Sequence, residues 1–204
     1  MPEIAVLGLD PGLRRTGYAV ARVDASKRVI TEVLEFGTLC TERQTEKAIR
    51  KTSDDLRRAE FHAVALQEIV RKNEIQIVSM EMSTTTPYTY PTFSFGVMLG
   101  IAASLGSPII QVLPYELKKA VTGDSQGTKR AIVAWAMKIT ASSDLTWPTS
   151  SRSNKLGLKY EGRPVSAAAE HPADALAAIE AGLQTDQFRL AATLFENVNA
   201  ATMA

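Results

Sequence analysis

The sequence predicts a mixed α/β domain over residues 1–204, on three observations. Three short apolar runs near the N-terminus are separated by turn-length gaps, the pattern of an antiparallel meander. From Ser53 the apolar residues recur at helical rather than strand spacing. Two further apolar runs then alternate with helical stretches, and the chain closes on helices. That order gives a central mixed five-stranded sheet flanked by helices.

Taken in turn, residues 4–9 (Ile-Ala-Val-Leu-Gly-Leu) are the first strand, ended by Asp10 and a Pro-Gly turn. Residues 16–23 and 29–40 are rich in Val, Ile, Thr and Leu and supply the next two, and Gly12 and Gly17 let the hairpin between strands one and two turn. Ser53 is placed to cap a helix whose Leu56, Ala59, Ala63, Leu66 and Val70 share one face; His62 flanks that face as a packing or surface residue, and Phe61 points away from it. "IQIVSME" (75–81) reads as a buried strand, 83–91 as a polar, aromatic loop and about 92–105 as a helix. "PIIQVLP" is another strand, "YELKKAV" a short helical piece, "TGDSQG" a loop, and Thr128 to about Ile139 a helix. Pro172 suits the first turn of a helix over 172–183, and Asp186 the cap of a last one over about 186–199. Residues 141–168, rich in Ser, Lys and Arg, form an insert long enough to be functional or disordered.

No apolar run reaches membrane-span length, so no membrane association is expected. The first apolar stretch has no basic segment before it and stops at Asp10, which reads as a strand and not as a secretion signal. Cys40 is the one cysteine; it forms no intrachain disulfide, reads as a small strand hydrophobe, and fits a cytoplasmic setting. The net charge of +1 hides a local asymmetry: between Ser125 and Val165 seven basic residues face two acidic ones, an excess of +5 that suits nucleic acid.

Asp10 and Glu81 each end a strand-like apolar run. If those strands are parallel neighbours, both carboxylates lie at the carboxyl edge of the sheet, where open α/β sheets place ligands. Asp174, three residues after His171, shares a helix face with it. Acids gathered in a dry cleft repel one another, and a hard divalent cation such as Mg²⁺ or Mn²⁺ relieves this.

Four blocks, in order, carry a resemblance: "GLDPGLRRTGYAV", "VSMEMS", "PYELKKAVTGDSQGTKRAI" and "HPADALAAIEAG". Together they resemble the RuvC-type Holliday junction resolvases, across most of residues 4–182. The resemblance implies a ribonuclease H-like fold, a homodimer acting on four-way DNA junctions, two Mg²⁺ or Mn²⁺ ions per active site, and no nucleotide cofactor. It matches Asp10, Glu81 and Asp174 to three of the family's four acids, and Lys118 and Lys129 to basic positions near the scissile phosphate. It further implies that Asp10 bridges the two ions, that Glu81 holds one, and that Asp174 and His171 hold the other.

This chain departs from the family pattern in three places. The fourth acid position holds His171, as in some members; the alternative ligand is Glu170. About twenty extra residues precede it. The loop after Glu81 is "STTTPYTYPTFSF", in which Tyr88, Tyr90 and Phe93 are candidates to stack on bases. Further expected DNA contacts are Arg14 and Arg15 in the first hairpin, Lys119 and Arg130 beside the two lysines, and Arg152, Lys155, Lys159 and Arg163 in the insert, with Trp147 and Tyr160 among them. Alternatives are a nuclease of broader branched-DNA specificity, acting on flaps and forks, and an inactive DNA-structure-binding module. A sugar-kinase-like ATPase needs two such lobes, more than 204 residues hold.

Overall fold

A computed structural model describes residues 3–46, 48–82 and 90–202, without the side chains of Tyr90 and of residues 196–202. Strands β1 (Glu3–Asp10), β2 (Arg15–Asp24), β3 (Val29–Cys40), β4 (Ile77–Glu81) and β5 (Ile109–Val112) form one sheet in the order β3-β2-β1-β4-β5. The first three pair antiparallel, as the meander predicts, while β1, β4 and β5 run parallel. This mixed five-stranded sheet is the expected one.

Helices cover both faces, and the period-2 alternation of each strand decides which face a side chain serves. Leu7 and Leu9 of β1, with Val78 and Met80 of β4, pack under α1 (Lys51–Asn73) and α2 (Tyr90–Ala103). Ile4 and Val6, with Ile77, pack on the opposite side with α4 (Lys129–Ile139) and α5 (Glu170–Leu183). By the same alternation Asp10 and Glu81 point to the α5 side. Helix α3 (Pro114–Thr122) adjoins α5, and α6 (Asp186–Thr202) closes the described chain. Among the described residues, no helix is long and apolar enough to cross a membrane.

Glycines set how close α5 can come. A side chain on Gly8 would strike the carbonyl of Ala175, and one on Gly17 the backbone of His171. Gly17, opposite Asp10 in the β1–β2 register, therefore serves helix approach and not the turn the sequence suggested. Ser79 Oγ donates to the Ala178 carbonyl (2.6 Å), a third point of tight sheet–helix contact.

Several local expectations are corrected. Helix α1 starts at Lys51 with Arg50 as an uncapped N-cap, and Ser53 lies inside it. Its buried row is Asp54, Arg58, His62, Leu66 and Ile69, while Leu56 is exposed. The expected apolar stripe is thus rotated, because the helix buries a polar row that finds partners in the underlying loops. Helix α2 begins at Tyr90, two residues before the expected start; residues 83–89 of the preceding loop lie outside the described residues. Thr185 Oγ1, and not Asp186, accepts the Phe188 N–H at the start of α6. Cys40 ends β3 exposed, not packed. The 141–168 insert is built around Trp147, whose indole N–H donates to Thr140 Oγ1 and whose ring lies against Phe36. Only 4% of Trp147 is exposed, so it holds the insert to the core and cannot stack on a base. A two-stranded hairpin, β6 (Lys159–Tyr160) and β7 (Arg163–Pro164), carries part of the insert's basic surface.

Candidate metal-dependent nuclease site

Asp10 and Glu81 stand at the carboxyl ends of neighbouring parallel strands, because Leu9 pairs with Met80 and each acid is the next residue. Asp174 reaches them from the second turn of α5, with 3% of its surface exposed. His171, one turn earlier, places Nδ1 2.7 Å from Asp10 Oδ2. It is His171, and not Glu170, that makes this bond. The Lys129 ammonium, at the start of α4, pairs with Asp174 Oδ2. Thr128 fixes that start, its hydroxyl accepting the Ala131 N–H.

The electrostatics follow from crowding. Burial pushes the Glu81 carboxyl up to about 7, reinforced by the charges of Asp10 and Asp174, while Lys129 and Lys118 pull the other way. Burial likewise raises Asp174 to about 6, against the pull of Lys129 and with a further push from Asp10. For Lys129 burial opposes the charge, yet Asp174, Glu81 and Asp10 together outweigh it and keep the ammonium protonated. Lys118 of α3 thus acts on the site, whereas Lys119 beside it is exposed.

The donor set fits a hard divalent cation. It is mostly carboxylate oxygen, and Asp174 Oδ1 is buried with no hydrogen-bond partner, a costly state unless a cation takes it. The acids are held by direct contacts, His171 on Asp10 and Lys129 on Asp174. Among the described residues no three His, Cys, Asp or Glu side chains are gathered as a ready ligand set. Asp10 Oδ2 and Asp174 Oδ2 are engaged by side-chain nitrogens, while Asp174 Oδ1 is not.

The other expected contacts scatter. Arg14, Arg15, Lys119, Arg130, Arg152, Lys155, Lys159 and Arg163 are exposed, and Phe93 stands on the first turn of α2. Tyr88 and the Tyr90 side chain lie outside the described residues. Tyr160 is tied down, its hydroxyl donating to the Leu145 carbonyl (3.2 Å).

Sequence reasoning missed a second group, around Leu13 in the turn that follows Asp10. The Leu13 N–H donates to Ser94 Oγ (2.8 Å), and its carbonyl accepts from Thr41 Oγ1 (2.5 Å) and His62 Nε2 (3.0 Å). Burial lowers the His62 pKa, so the ring is a neutral donor here. The recurrence of Asp54, Arg58 and His62 at four-residue steps was the available signal.

A ribonuclease H-like sheet with three acids and a lysine at its carboxyl edge defines the class: a divalent-metal-dependent nuclease. Within that class, the family model described as crossover junction endodeoxyribonuclease RuvC matches residues 6–150, and the chain belongs to this family. The matched segment ends before His171 and Asp174, which the fold itself carries to Asp10. A crossover junction endodeoxyribonuclease RuvC of Syntrophomonas wolfei is 28% identical over 150 residues, covering 70% of this chain and 79% of the relative. One from Chelativorans sp. is 32% identical over 133 residues, covering 63% and 71%. Among solved structures, T. thermophilus RuvC in complex with a Holliday junction substrate aligns with a TM-score of 0.61 at 21% identity, over 87% of this chain and 92% of that one. The yeast mitochondrial Holliday junction resolvase Ydc2 aligns with a TM-score of 0.55 at 12% identity, over 95% and 82%. At these identities the two structures show the shared fold.

Proposed function

We propose that residues 1–204 act as one nuclease domain that, as a homodimer, cuts four-way DNA junctions with two Mg²⁺ or Mn²⁺ ions per site. The observation that carries this is the partnerless, buried Asp174 Oδ1 beside Asp10 and Glu81. When bound, the cations polarise the scissile phosphate and make a bound water acidic enough to attack at neutral pH. Asp10 and Glu81 at the strand ends, with Asp174 and His171 on α5, would hold the cations. Lys129, half exposed, is free to swing from Asp174 to the phosphate as negative charge builds there. Lys118 adds positive potential from α3. A junction offers two symmetry-related strands, and a two-fold dimer matches it. Leu56, Phe61 and Val64, exposed on α1, support a partner surface.

The test is cleavage of end-labelled four-way junction, flap, fork and duplex with Mg²⁺, Mn²⁺ or chelator. Paired nicks confined to the junction are expected. Equal cutting of flaps and forks favours the broader branched-DNA reading, which the exposed basic insert supports. Binding without nicking in either metal makes the protein an inactive binder.

A further inference from the structure

Arg14, Glu42, Arg43 and Arg58 line an open cleft of about 490 Å³. Among the described residues its lining has no apolar side chain; three guanidinium groups and one carboxylate line it, Arg58 being already paired with Asp55. Such a surface offers no apolar seat for an acyl chain. It suits a phosphodiester, whose oxygens match the guanidinium fork.

The cleft is built, not incidental. The Arg58 side chain is 3% exposed, held by Nε donating to Thr41 Oγ1 (3.0 Å) and by Asp55. The Thr41 N–H donates to the Arg14 carbonyl (2.9 Å), and Thr41 Oγ1 to the Leu13 carbonyl (2.5 Å). Arg57 Nη2 donates to the Glu42 carbonyl (2.7 Å), fixing the opposite wall. The strap that follows β3 is thereby fastened to the turn that follows Asp10. Arg14 lies four residues from Asp10 at the same edge of the sheet. None of the four lining residues belongs to the acid cluster.

We infer that this cleft is a second phosphate site, gripping a DNA backbone phosphate other than the one that is cut. It rests on the reading of the protein as a DNA nuclease and adds where the strand is held.

The test is junction binding in Ca²⁺ across salt concentrations, with wild type, Arg14→Gln/Arg43→Gln and the control Arg22→Gln/Lys27→Gln. The control removes equal charge at the opposite edge of the sheet, and all four positions are exposed. The slope of log affinity against log salt should become shallower by about 0.9 in the first variant, for the one phosphate no longer neutralised. It should hold in the control. Neutral methylphosphonate links placed singly along the strand should identify one position that weakens wild type and leaves the arginine variant unaffected. An unchanged slope, an equal change in the control, or equal sensitivity of both proteins at every position overturns the inference. Wild type that binds duplex but never nicks a junction refutes the proposed function alone, and the slope comparison then runs on duplex. Wild type that binds no DNA refutes both.

Discussion

His171 Nδ1 lies 2.7 Å from Asp10 Oδ2, joining the start of α5 to the end of β1 across 161 positions of sequence. The bond places an imidazole where a fourth carboxylate would add another negative charge. It makes His171 part of the acid cluster, and it tells what each substitution there should do.

Asp10→Asn, Glu81→Gln and Asp174→Asn should each reduce junction cleavage below detection while leaving junction affinity within about threefold, since phosphate contacts set affinity. Cleavage assays paired with anisotropy in Ca²⁺ check this. Wild-type rates for any one of them remove that residue from the site.

Imidazole is a softer ligand than carboxylate, so activity should be higher with Mn²⁺ than with Mg²⁺ at equal concentration. His171→Asp should narrow that gap. His171→Ala should lose more than ~100-fold, beyond the 10–100-fold typical of a merely supporting partner. Activity retained in His171→Ala but lost in Glu170→Gln would transfer the ligand role to Glu170. Metal titrations of the cleavage rate read all four proteins.

Without metal, the raised carboxyl pKa values oppose folding at neutral pH. Glu81 goes from 4.5 to about 7 on folding, so between those values the native state holds the proton that the unfolded chain has released. Stability should therefore fall as pH rises from about 4.5 to 7. Glu81→Gln should be more stable than wild type at pH 8, on the order of 2 kcal/mol after discounting for solvent, and close to it at pH 4.5. Thermal melts in chelator measure the difference. Added divalent cation should stabilise wild type more than the variant, with the gap shrinking below pH 6 as protons compete.

The insert separates into a structural and an electrostatic part. Trp147→Ala should cost about 3–5 kcal/mol of stability, since it empties a buried ring site. Replacing Arg152, Lys155, Lys159 and Arg163 by Ala should leave the melting temperature nearly unchanged and flatten the salt dependence of binding by about 0.9 for every phosphate those side chains neutralise. An unchanged slope would reduce the segment to a plain surface loop.

How legible all this was in the sequence varied with how local the cause was. Strand-end acids were readable because an apolar run that stops at a carboxylate is unusual, and parallel pairing then brings Asp10 and Glu81 together without further information. The buried face of α1 was not readable from hydropathy. In its row Arg58 and His62 bond Thr41 and Leu13, partners supplied from distant stretches of chain, while Asp54 pairs with Arg57 of the same helix. Trp147 misled for the same reason, since its neighbours in sequence are polar while those in space are not. Gly17 looked like a turn residue because the backbone it makes room for, at His171, is 154 positions away.

Eleven of the fourteen residues of α5 are buried, six of them Ala or Gly, and the helix meets the sheet closely at Gly8, Gly17 and Ser79. A helix seated that closely has no slack to slide or roll. The Asp174 carboxylate is consequently a fixed jaw, unable to follow the phosphorus as its geometry changes. Adjustment during the reaction falls to the more exposed side chains around it, Lys129 and His171. Variation in turnover among related chains should accumulate around those two side chains and spare the buried face of the helix that carries Asp174.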